Sequence, residues 1–93
     1  MQKYMKSIRM RIHSEMKKRG IPVYYVSRSI DRGIPYMSFT FDSQKSISAH
    51  LGGNVHIGIH RIPFPEIPNS SEVVKKMCDA LTELYKKENN PDV

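Results

Sequence analysis

The chain has 93 residues, with 15 lysines and arginines against 9 acids, a formal charge of +6 and one cysteine. That length suits a single domain, 1–93, and one cysteine excludes an internal disulfide framework and fits a reducing compartment. No apolar run approaches membrane-spanning length and no signal-peptide pattern is visible. A soluble, cytoplasmic protein without membrane association is expected, and its basic balance favours an anionic partner.

Residues 2–19 read as a helix. Met1, Met5, Ile8, Ile12 and Met16 recur at helical spacing, with Tyr4 at the edge of the stripe. Lys3, Lys6, Arg11, Lys17 and Lys18 fall on the other side. They form either a solvated face or one that binds phosphate or acidic groups. Lys17, Lys18 and Arg19 oppose the dipole at the helix C-terminus. Gly20 is a natural cap and Pro22 stops the helix.

Residues 22–30 and 34–41 read as a hairpin around a three-residue loop, Asp31-Arg32-Gly33. Val23 then faces Phe41, Tyr25 faces Phe39 and Ser27 faces Met37 on one side. Tyr24 with Thr40, Val26 with Ser38 and Arg28 with Tyr36 occupy the other. Asp42 to Lys45 reads as a turn. Ser46 to Ile62 reads as a second hairpin around Gly52-Gly53-Asn54, because Ile47, Ala49 and Leu51 alternate with polar residues, as do Val55, Ile57 and Ile59. This register pairs Ile47 with Ile59, Ala49 with Ile57 and Leu51 with Val55.

Pro63 to Pro68 is a stiff connector carrying three prolines. Asn69 is placed to cap a helix over 70–87, whose stripe is Val74, Met77, Cys78, Leu81, Leu84 and Tyr85. Residues 88–93 are expected to fray.

The expected fold is an α+β two-layer sandwich in the order α-β-β-β-β-α. A four-stranded antiparallel meander over 22–62 carries both helices, antiparallel to each other, on its apolar face. The opposite face is left open and carries Tyr24, Arg28, Tyr36, His50, His56 and His60. Aromatic and basic groups on an open sheet can stack bases and meet phosphates, although a polar face is also normal for an antiparallel sheet. Arg32 in the hairpin loop adds a further cation.

Catalytic signals are weak. His50 and His56 would oppose each other across two strands, but no third ligand joins them, so neither a metal nor another cofactor is expected. Cys78 lies within an apolar stripe and reads as a core residue. The acids are scattered and make no acid–base pair, so an enzyme is not expected.

The segment from Tyr36 to Tyr85, a sheet followed by a helix, resembles the small DNA-binding domains of phage integrases and of a class of plant transcription factors. That resemblance implies a sheet docked in the major groove. The element order is also similar to double-stranded-RNA-binding domains, but Ser70-Ser71-Glu72 lacks their basic helix start. In size and basicity the chain resembles accessory proteins of temperate phages that modulate host nucleic-acid enzymes.

Three functions follow as expectations. The first is nucleic-acid binding through the open face and the basic first helix. The second is a phage-type accessory protein that inhibits or modulates a host nucleic-acid-processing enzyme, such as a RecBCD-like nuclease. The third is a homodimer joined through the open sheet face.

Overall fold

The computed structural model describes residues 2–52 and 58–89, with the side chains of residues 2–4 and 50 outside that description. The elements are α1 (Gln2–Lys18), β1 (Tyr24–Asp31), β2 (Ile34–Thr40), α2 (Ser43–His50), β3 (Ile59–Pro63) and α3 (Ser70–Asn89). The class is α+β, with one three-stranded antiparallel sheet in the order β1-β2-β3. The expected four-stranded meander in the order α-β-β-β-β-α is overturned, because its third strand is the helix α2.

The chain divides into two compact units, Met1–Ile21 with Pro65–Val93, and Pro22–Phe64. In the first unit Ile8, Ile12 and Met16 of α1 are buried, as are Val73, Val74, Met77, Cys78 and Leu81 of α3. Each of the valine, isoleucine, leucine and methionine side chains among them contributes about 1.5–3 kcal/mol of hydrophobic stabilisation. The end of α1 is closed by two crossed hydrogen bonds: the Gly20 amide donates to the Lys17 carbonyl and the Ile21 amide to the Met16 carbonyl, at 3.1 and 3.0 Å. This is a Schellman cap. The Asn69 Oδ1 caps α3, accepting from the amides of Ser71 and Glu72 at 2.9 and 3.3 Å.

Here α1 and α3 run in the same direction. Arg11 meets Ser70 and Ser71, whereas Arg19, just past the end of α1, meets Asp79 and Thr82, further along α3. The expected antiparallel pair is therefore corrected. Antiparallel packing follows when a short loop joins two helices, and these two are separated by the whole sheet unit.

In the second unit, β1 and β2 pair Tyr24 with Thr40 and Tyr25 with Phe39, as the alternation implies. The register then shifts at a bulge between Tyr25 and Ser27, so Ser27 opposes Ser38, Arg28 opposes Met37 and Ser29 opposes Tyr36. One extra residue in a strand moves everything beyond it to the other face. Asp31 pairs with Ile34, so the turn is the two residues Arg32 and Gly33, not the expected three. Both have positive φ, 54° and 80°, as a type I′ hairpin turn requires. On β3, Ile62 opposes Met37 and His60 opposes Phe39.

One face of the sheet thus carries Tyr25, Arg28, Ile30, Met37, Phe39, His60 and Ile62, and the other Tyr24, Ser27, Ser29, Tyr36, Ser38, Thr40, Ile59 and Arg61. Met37, Phe39 and Ile62 are buried, as is Val23 just before β1. The rings of Tyr25 and Phe39 meet edge-on with centroids 5.9 Å apart.

Asp42, expected in a turn, is the N-cap of α2 and accepts from the Gln44 amide at 2.9 Å. Gly52 follows the helix with φ 81°, and its amide bonds the Ala49 carbonyl at 3.1 Å. A glycine in that conformation ends a helix as readily as it turns a hairpin. Of the apolar residues assigned to the strand, Ile47 is 53% and Leu51 82% exposed, and Ala49 is half-buried. Of the other half of the expected hairpin, residues 59–62 are a strand, within β3, whereas Gly53, Asn54, Val55, His56 and Ile57 lie outside the described residues.

Candidate nucleic-acid interface

Along the first unit, α1 and α3 leave a shallow groove of 710 Å³ lined by Lys6, Ser7, Met10, Arg11, Ser14, Glu15, Lys18 and Val74. Seven of these residues come from α1 and recur every three or four positions, so they form one stripe beside the core stripe. Glu15 is taken up by Arg19, whose Nε lies 3.3 Å from Oε1. Arg11 donates from Nη1 to the Ser70 Oγ and from Nη2 to the Ser71 Oγ, both at 3.0 Å. Hydroxyls orient the guanidinium but leave its charge in place. Among the described residues no carboxylate pairs with Lys6, Arg11 or Lys18. These three cations span about 18 Å of helix axis at 1.5 Å per residue.

Lys17 is exposed at the end of α1. Arg19 has a different task. Its Nη1 reaches Asp79 Oδ1 at 3.1 Å and the Thr82 hydroxyl at 3.0 Å. Burial works to lower its pKa, but the hydrogen bonds to Asp79 and Glu15 outweigh that and hold it above the usual arginine value. It ties the two helices together. The Lys3 side chain lies outside the described residues.

In the second unit the expected open face is not assembled. Arg28 sits beyond the bulge on the Met37 face, and His60 shares the Phe39 face with its ring 5.2 Å from that of Phe41. His50 ends a helix instead of lying in a strand, so its expected pairing with His56 across two strands is withdrawn. Ser38 and Thr40, expected on that open face, are buried. Tyr24 and Tyr36 do share one face, but one side of the half-buried Tyr36 ring is taken. Arg61 Cζ stands 4.3 Å over its ring, and the same guanidinium reaches Asp31 at 3.5 Å. Arg61 was not among the expected site residues. Its role depends on the β2–β3 register, for which the spacing carries no signal.

Among the described residues no three of His, Cys, Asp and Glu come together as a metal site, and no helix is long and apolar enough to cross a membrane. Comparisons with protein-family models, curated proteins and solved structures return no match. The functional reading therefore rests on the residues of this chain alone.

Proposed function

We propose that this chain is a small non-enzymatic nucleic-acid-binding protein whose α1 face meets phosphates. The observation that carries the reading is the row of Lys6, Arg11 and Lys18, unpaired with carboxylates among the described residues and interleaved with Ser7 and Ser14. Cations donate to phosphate oxygens and release condensed counterions, and serine hydroxyls add neutral hydrogen bonds. A cytoplasmic setting fits the lone free thiol, Cys78. The experiment is an anisotropy titration of a labelled duplex at 50 and 200 mM salt. Three neutralised phosphates correspond to a fall in affinity of roughly 40-fold over that range. No binding at the lower salt overturns the reading.

A second reading is favoured by Met10, which lines the same groove while 59% exposed. Thioether and cations together suit an acidic, amphipathic segment of a partner protein, such as a host nucleic-acid enzyme. Capture of a partner from lysate that persists after nuclease treatment supports this reading. Loss on nuclease treatment supports the first.

A further inference from the structure

Arg32 occupies the first position of a two-residue turn at φ 54°. Asn, Asp and Gly favour that position, because a Cβ in the left-handed region crowds the following carbonyl oxygen, a cost that Gly avoids and Asn and Asp offset with local hydrogen bonds. Strain of this kind points to a use for the side chain. Arg32 is exposed, and among the described residues no carboxylate pairs with it. The neighbouring acid, Asp31, is engaged by Arg61 at 3.5 Å. Flanking the apex, Ile30 is 75% and Ile34 46% exposed. The last pair between β2 and β3 is Tyr36 with Pro63, and the Phe64 amide still donates to the Pro35 carbonyl at 2.9 Å, so beyond it only the pair of Asp31 with Ile34 and the turn project as two strands.

We infer that this hairpin apex enters the major groove of B-form duplex DNA, with Arg32 at the base edges and Ile30 and Ile34 against the groove walls. The inference rests on the nucleic-acid reading proposed above and adds to it the type of nucleic acid. Guanine O6 and N7 accept from a guanidinium, and the thymine methyl offers an apolar contact, so base edges match both kinds of side chain. Two strands lie about 4.8 Å apart, and the single projecting pair sets the turn about 3.4 Å further out. Such a ribbon fits a groove ~12 Å wide and ~8.5 Å deep. The A-form major groove of double-stranded RNA is too narrow for it.

The test compares the full chain with Arg32→Asn and with Lys6→Ala/Lys18→Ala on a mixed-sequence DNA duplex and its RNA counterpart. Arg32→Asn, which suits the turn, raises the thermal midpoint while weakening DNA binding about tenfold. The wild-type preference for DNA over RNA shrinks by a similar factor. Unchanged DNA affinity in Arg32→Asn, with loss in Lys6→Ala/Lys18→Ala, overturns the hairpin contact and leaves the α1 reading standing. Equal wild-type affinity for the two duplexes also overturns it. No wild-type binding to either duplex at low salt removes both. If Arg32→Asn loses binding to phosphatidylserine vesicles but not to DNA, the apex is a lipid contact and the inference fails.

Discussion

Arg19 Nη1 lies 3.1 Å from Asp79 Oδ1, joining the residue just past α1 to the middle of α3. The same guanidinium bonds Glu15 and Thr82, so one side chain at the end of a basic run is committed to structure. Lys18 beside it lines the open groove. Adjacent cations thus divide between holding the fold and facing solvent.

Replacing Arg19 by Ala lowers stability by about 1–2 kcal/mol, since charged hydrogen bonds at a partly exposed site are worth little more. A urea midpoint reads the loss. Duplex affinity of the folded protein changes much less than for Lys18→Ala. A variant that unfolds no earlier but binds far more weakly contradicts this division.

For Lys6→Ala and Lys18→Ala the expectation is the reverse. Stability stays within about 0.5 kcal/mol, and each change reduces the slope of log affinity against log salt by about 1. The measurement is a salt titration of each variant. Unaltered slopes would place the contact elsewhere.

Cys78 is fully buried, and its thiol lies 3.9 Å from the Ile12 carbonyl. Burial pushes its pKa up from 9.0 to about 11, against a lowering influence from Arg19. Below pH 9 folded and unfolded chains both hold the proton, so the stabilising effect is fully present. Above pH 9 the unfolded chain ionises first, and stability falls until about pH 11, by on the order of 2 kcal/mol. Cys78→Ala, although less stable at neutral pH, lacks that component of the decline. Identical pH dependence of wild type and variant between pH 9 and 11 contradicts the assignment.

Leu51→Ser and Ile47→Ser distinguish a helix from a strand at α2. With both side chains exposed, each substitution changes stability by less than about 0.5 kcal/mol. Buried cross-strand partners would lose several kcal/mol on truncation. Thermal melts of the two variants decide between these outcomes.

The cap of α3 offers a simpler check. Asn69→Ala removes the acceptor for the Ser71 and Glu72 amides and costs about 1 kcal/mol, whereas Asn69→Asp is nearly neutral. Equal losses in the two variants would show that the side-chain oxygen is not the cap.

Much of the first unit was legible residue by residue. Ile8, Ile12 and Met16 are buried as their spacing implies, and so are Met77, Cys78 and Leu81. Val73 was missed because it lies one position before the stripe that begins at Val74. The strands β1 and β2 were placed, and their pairing holds at Tyr25 and Phe39. Beyond the bulge each face exchanged its residues, which moved Arg28 away from Tyr24 and Tyr36. Alternation also suggested a strand at Ser46–Leu51, where Asp42 as cap and Gly52 as terminator fit a helix equally well. Arg11 and Lys18 line the groove with Lys6, as their common helix face allowed, whereas the diversion of Arg19 to Asp79 depended on where α3 lies.

Sequence alone determined the two long helices, their caps and the hairpin between Tyr24 and Thr40, because those signals lie within a few residues of one another. Tertiary structure decided the direction of α3 beside α1, the bulge after Tyr25, the partner of each strand and which cations remain open. Those outcomes depend on groups far apart in the chain. A short apolar alternation that satisfies either backbone conformation is resolved only when such groups are brought together.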